Sequence, residues 1–201
     1  MIRLKKGIFV CGASLFLMSG CNGTADLSDF SQNALSVNRD GSVTELSVEP
    51  FDADYYSLED LTAYVQEEVD AFNKDHPPAS EKKDESAITV DKVEISDGTA
   101  RVILSYESPE IFTEFNYGQL ISVDAAKLPQ EALALSCTDS QGEPVGTAAS
   151  IENLDNYKAI MVSSDVFVAV PGKIAYVSEN VTVTDRSVAD CDGTLAVIIY
   201  S

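Results

Sequence analysis

Histidine occurs once in the 201 residues, as His76, and tryptophan not at all. With one histidine no HExxH zinc motif can exist. A Ser/His or Cys/His relay would have to be built around a residue standing before Pro77-Pro78 in a polar stretch, so nucleophilic catalysis finds no support. His76 is read as a solvent-facing loop side chain. The lack of tryptophan leaves any sugar-stacking platform to Tyr55-Tyr56 and to Phe112, Phe115 and Tyr117. Neither GxGxxG nor the phosphate-cradling GxxxxGKS/T occurs, which removes nucleotide chemistry. Basic residues are few, 13 against 33 acidic ones. A chain of that balance is repelled by phosphate backbones, and nucleic acid is excluded as a partner. No apolar run approaches the ~20 residues a spanning helix needs.

What is present begins at the N-terminus, MIRLKKGIFVCGASLFLMSGC. Arg3, Lys5 and Lys6 precede an apolar stretch from Gly7 to Leu17, and Ser19-Gly20 supplies small residues before Cys21. That is the layout of a secretory signal. Its ending, Met18-Ser19-Gly20-Cys21, resembles the lipobox of bacterial lipoproteins, departing from it at Met18, where leucine is usual. The resemblance implies that residues 1–20 are removed and that Cys21 carries a diacylglycerol. The chain would then be anchored in the cell membrane on its extracytoplasmic face. Two acyl chains, at about 0.8 kcal/mol per buried methylene, hold far better than one. Removal of the signal takes three basic and no acidic residues. The remaining 181 residues then carry a formal charge of −23 instead of −20.

Four cysteines shrink to two on this reading. Cys11 leaves with the signal, Cys21 takes the lipid, and Cys137 and Cys191 remain. Outside the cytoplasm this pair either forms a disulfide or stands as two separate thiols. A bridge between positions 54 apart would contribute about 4 kcal/mol in the chain-entropy model. Their surroundings differ, however: Cys137 ends the apolar run ALALSC, and Cys191 lies in ADCDG, read as a polar turn. Two cysteines and one distant histidine make no metal ligand set.

Residues 21–33 are small and polar and read as a lipidated cysteine with a flexible tether. Structure is expected from Ala34. ALSVN and SVTELSVE flank Asp40-Gly41, and ITVDKVEI and TARVILSY flank Asp97-Gly98, two hairpin signals. A change of apolar parity between Val90 and Val93 predicts a bulge. Leu58, Leu61, Val65, Val69 and Phe72 recur at helical spacing after Ser57, predicting a helix that ends near Lys74-Asp75. Ser108-Pro109-Glu110 opens a short helix to about Phe115. Residues 118–135 are read as mixed helix and strand. Beyond them KAIMVSS, VFVAV, KIAYVS, NVTVT and LAVIIY read as strands, the last one interior because it is apolar on both faces. Pro171-Gly172 fits a type II turn. The class is therefore α+β. N-terminal hairpins with one long and one short helix (34–135) precede a β-rich part (136–201), the two forming one domain or two. FDADYYSLEDL and VPGKIAYVS are similar to segments of uncharacterised extracytoplasmic lipoproteins of Gram-positive gut bacteria, a resemblance that implies location and domain type only.

Acidic pairs are too common to single out an enzyme. Glu59 and Asp60 suit a helix N-terminus, while Glu67, Glu68 and Asp70 form a solvated face. Asp52 and Asp54, with Tyr55 and Tyr56, are the candidate ligand or cation contacts, by density of oxygen ligands and exposed aromatic surface. No catalytic residue and no cofactor is expected. The expected function is a non-catalytic binding or envelope-accessory module, with an envelope protein or glycan as partner. A carboxylate-based glycan hydrolase and a cation- or solute-binding lipoprotein are the alternatives.

Overall fold

A computed structural model describes residues 26–52, 57–78 and 86–201. Cys21, Asp54, Tyr55 and Tyr56 lie outside the described residues. The class is α+β, as expected, with far more strand than helix. Among the described residues thirteen strands form two sheets. In chain order they are β1 (Ala34–Val37), β2 (Val43–Pro50), β3 (Ile88–Ser96), β4 (Thr99–Tyr106), β5 (Leu120–Asp124), β6 (Ser136–Asp139) and β7 (Pro144–Thr147). There follow β8 (Lys158–Val162), β9 (Asp165–Ala169), β10 (Ile174–Ser178), β11 (Val181–Asp185), β12 (Val188–Asp192) and β13 (Ala196–Tyr200). The helices are α1 (Leu58–Asp75), α2 (Pro109–Asn116) and the single turn α3 (Gln130–Leu133).

The first sheet has the order β11-β12-β9-β1-β2-β4-β3, the second β5-β8-β13-β10-β6-β7. β1 runs parallel to β9, so the first four strands continue directly into a sheet completed from the far end of the chain. From β8 onward the chain passes back and forth between the sheets. The 34–135 and 136–201 parts consequently share both sheets and one core.

Alternation along the strands explains the layers. Leu35, Val37, Val43 and Leu104 of the first sheet meet Ile160, Val162, Ile198 and Tyr200 of the second in the central core. The other face of the second sheet, with Met161, Val197 and Ile199, is covered by Ala125, Leu128, Ala132 and Ile151. β13 is therefore buried along both faces, which is why its sequence does not alternate. The outer face of the first sheet is covered by Leu27 and Phe30. Arg101 donates to the carbonyls of Phe30 at 2.8 Å and Ser28 at 2.7 Å, and pairs with Glu94 at 3.1 Å. Residues 26–33 are thus held against the sheet, not a free tether. Two apolar side chains three apart in a polar stretch gave too little periodicity to reveal this.

The hairpin and helix expectations are met. The β3–β4 turn places Asp97 and Gly98 at positive φ, 52° and 72°, as a two-residue turn of this hand requires. The register of β3 on β4 slips between Val90 and Lys92, where the bulge was predicted. The Ser57 hydroxyl accepts from the Asp60 N–H at 3.0 Å and caps α1. Val65, Val69 and Phe72 pack from α1 onto the central core, with Val69 fully buried; burial of such a side chain contributes about 1.5–3 kcal/mol. Leu58, the first residue of the predicted stripe, is 46 % exposed. Asp70 accepts from Gln66 at 2.9 Å, a neighbour on the same helix.

Two local expectations are corrected. Gly172 does not have the positive φ of a type II turn. Glycine is needed there because a Cβ would stand 2.3 Å from the Ser201 carbonyl oxygen, against which Lys173 pairs through both its backbone groups. Cys191 is in β12, paired with Val181 and Val166, and is buried. The polar letters around it, Asp190 and Asp192, fall on the alternate positions of a strand.

Candidate functional site

A groove of about 670 Å³ lies among the described residues where α1 and α2 cross the β2 and β4 strands. Its floor follows from strand parity. Val43, Glu45 and Ser47 occupy one face of β2, the face on which Val102, Leu104 and Tyr106 of β4 lie opposite or diagonal to them. Where β2 lies beneath the helices, that face carries Glu45 in place of an apolar side chain. The Glu45 carboxylate accepts from the Tyr106 hydroxyl and, at 3.3 Å, from the Asn116 side-chain amide. Asn116 also donates to the Tyr106 oxygen at 3.0 Å. Burial pushes the Glu45 carboxyl above the usual glutamate range, and these two hydrogen bonds pull partly back. Burial and the adjacent carboxylate likewise push the Tyr106 phenol up.

The walls are aromatic. Behind them, outside the lining, the buried Tyr106 packs edge-on against the buried Phe112, ring centroids 5.2 Å apart. Phe115 meets Phe72 of α1 edge-on at 5.3 Å. His76 closes the end of α1, stacked on Phe72 at 3.9 Å and 8°. Its Nε2 lies 3.1 Å from a Glu114 carboxylate oxygen of α2, and its Nδ1 lies 3.0 Å from the Phe72 carbonyl oxygen. His76 is therefore a half-buried clasp between the two helices, not a solvent-facing loop residue. The signal in the sequence was its place four residues after Phe72, at the end of α1, where the ring folds back over that aromatic.

The rim is exposed. Tyr64 is 62 % and Tyr117 is 97 % exposed, the latter in the left-handed conformation with φ 51° at the end of α2. Glu68 and Asp75 of α1 complete the lining, and among the described residues no lysine or arginine is part of it.

Of the residues singled out from the sequence, Phe115 and Tyr117 face this groove and Phe112 is core. Asp52 is exposed and stands against the β3–β4 turn, its Cβ 3.3 Å from where a Gly98 Cβ would be. It is not part of the groove. Cys137 and Cys191 form no disulfide. Both are free and buried, Cys137 in the core outside the second sheet and Cys191 in the central core. Burial, with nearby carboxylates, pushes their thiols up to about 11 and about 12.

Sequence reasoning missed Glu45, Tyr106 and Asn116. Glu45 sits mid-strand in VTELSVE, where a single acid reads as a solvent-side position. A smaller hollow of about 240 Å³ lies beside Asn33, Asp165 and Asp190. There burial, and then the Asp165 and Asp192 charges, push the Asp190 carboxyl up. Among the described residues no group of three or more His, Cys, Asp or Glu is placed to hold a metal ion, and no helix is long and apolar enough to cross a membrane. Comparison with protein-family models, curated proteins and solved structures finds no match to the chain.

Proposed function

We propose that the protein is a lipoprotein anchored through Cys21 on the extracytoplasmic face of the cell membrane. In this reading it works as a non-catalytic binding module, with the groove between α1 and α2 as its binding place. The observation that carries the reading is the groove's combination of polar floor groups, Glu45 and Asn116, fixed from behind by the buried Tyr106 hydroxyl, with exposed aromatic side chains at the rim, Tyr64 and Tyr117. Exposed tyrosines at the edge of a concave site supply large contact area with few rotatable bonds. The Glu45 hydrogen bonds and the His76–Glu114 contact lock floor and walls before any ligand arrives, which lowers the entropic cost of binding.

A photo-crosslinking side chain placed at Tyr64 or Tyr117 on intact cells should capture a reproducible envelope component, and the same group at Thr182 of the distant β11 edge should not. Capture that is equal from all three positions would count against the groove. For the anchor, Cys21→Ser should abolish lipid labelling and block processing or release the protein. Labelling that persists overturns the assignment.

A second reading has one observation in its favour. A carboxyl held above its usual range in a cleft is what a glycoside hydrolase uses as general acid, and Glu45 is such a group. Turnover of cell-wall or dietary glycans that is lost in Glu45→Gln would replace the binding module with that enzyme.

A further inference from the structure

We propose that the groove receives the cationic side chain, a lysine or arginine, of an extended segment of a partner protein. The inference rests on the reading of the groove as a binding place and adds the chemistry of what enters it.

The starting point is a charge without a countercharge. Among the described residues Glu45 is held only by neutral donors, the Tyr106 hydroxyl and the Asn116 amide. The one basic ring in the groove, His76, is taken by Glu114. Among the described residues neither Glu68 nor Asp75 has a cationic partner, and no lysine or arginine lines the groove. A cation arriving at the floor would find a desolvated carboxylate with lone pairs to spare, where a charge-assisted hydrogen bond is shorter and stronger than in water.

Shape selects the kind of cation. Between floor and rim the walls are Val65, Phe72, Leu104 and Phe115, an apolar passage suited to the methylene stem of lysine or arginine. Aromatic faces along that passage attract a cationic head as well. Tyr64, Glu68, Asp75 and Tyr117 at the rim are all exposed. A polypeptide can therefore lie across the opening with one side chain inserted. The volume, about 670 Å³, accommodates that side chain and the adjoining backbone. The strongly acidic chain as a whole, −20 in formal charge, adds steering toward basic partners.

The test uses the full-length protein and two synthetic peptides of sequence Gly-Ser-X-Ser-Gly, blocked at both ends, with X lysine or norleucine. Binding is followed by NMR shifts of backbone amides and of the Asn116 side-chain amide at low and physiological salt. The lysine peptide should give saturable shifts confined to the groove. Glu45→Gln should weaken it roughly tenfold, the equivalent of one charge-assisted contact at ~1.4 kcal/mol per decade. Glu68→Gln is on an exposed position and cannot fail through unfolding; it should also weaken binding. Glu67→Gln removes the same charge from a residue outside the groove and should leave affinity within about twofold, as expected for a screened surface charge. Equal binding of the norleucine peptide overturns the cation and leaves the binding place standing. Equal losses in Glu67→Gln and Glu68→Gln, or shifts spread over the whole acidic surface, overturn the proposal as non-specific attraction. If neither peptide binds, the proposal falls. The reading of the groove is then decided by the Tyr64 and Tyr117 crosslinks alone.

Discussion

The side chain of Asn73 makes both outward backbone hydrogen bonds of Ile88: its Nδ2 donates to the Ile88 carbonyl at 2.8 Å and its Oδ1 accepts from the Ile88 N–H at 2.9 Å. β3 is the last strand of its sheet, and a free edge exposes unpaired donors and acceptors. One amide on α1 therefore does at Ile88, the first residue of β3, what another strand would do there. It also fixes where α1 stands over the groove, because Phe72 and His76 flank Asn73 on the same helix end.

Asn73→Ala removes both hydrogen bonds and should lower stability by about 1–3 kcal/mol, the cost of stranding part-buried backbone groups. Asn73→Asp keeps the acceptor for the Ile88 N–H but sets a carboxylate against the Ile88 carbonyl. It should be at least as damaging at neutral pH and should recover in acid, as the aspartate protonates and regains a donor. Denaturant melts at neutral and acid pH check both. If Asn73→Asp proves as stable as the parent at neutral pH, the paired geometry is not what holds the helix end.

Glu45 predicts a pH effect on stability. Burial raises its carboxyl in the folded protein above the ordinary value of 4.5. The folded state thus holds the proton more tightly than the unfolded chain. Its contribution to stability is fully present below the ordinary glutamate range and is lost as pH rises through the raised value. Glu45→Gln cannot titrate, and its amide oxygen can still accept from Tyr106. Relative to the parent, the variant should gain in thermal stability as pH is raised from about 4 to neutrality. A difference in melting temperature that stays constant over this range contradicts the assignment.

The extent to which the sequence revealed this site depends on the distance between the parts. The Ser57 cap, the Val65–Val69–Phe72 stripe and the Asp97-Gly98 turn are local signals, read within a few residues, and they stand where they were expected. The pairing of β1 with β9 joins positions more than a hundred residues apart, and no local period carries it. The groove has the same character. Glu45, Tyr106 and Asn116 come from three elements, and each has an ordinary reading in its own segment: a surface acid, a strand aromatic, a helix-end amide. Only the meeting of β2, β4 and α2 makes them a unit. Cys191 is hidden in the sequence for a simpler reason. Asp190 and Asp192 look like turn residues, whereas alternation puts Cys191 on the buried face with Ala189.

The two buried thiols predict chemical silence. With values pushed up to about 11 for Cys137 and about 12 for Cys191, the thiolate fraction at about pH 8 is roughly one in a thousand or less. Both side chains are also fully buried. Alkylation of the native protein, read by peptide mass mapping, should leave both positions unmodified, while denaturant should expose both at once. Mild oxidation should give no Cys137–Cys191 crosslink, because the thiols lie in cores on opposite faces of the second sheet. Recovery of that crosslink from folded protein would require a rearrangement of β6 and β12.

Tyr117 predicts a trade between stability and binding. It is 97 % exposed and holds a φ of 51°, a conformation that glycine adopts freely and a side chain with a Cβ does not. An aromatic residue that buries almost nothing and strains the backbone contributes little to the fold, and such outliers gather where function needs a particular side chain. Tyr117→Gly relieves the strain at the end of α2 but frees the unfolded chain, so it should be neutral or stabilising by about 0.5–1 kcal/mol. The same substitution should remove groove-dependent capture on cells and weaken the lysine peptide. Tyr117→Asn keeps a residue tolerant of this conformation without the ring and should behave alike. A variant that is more stable and binds as well as the parent would make Tyr117 an ordinary surface residue, and would move the binding place away from this end of the groove.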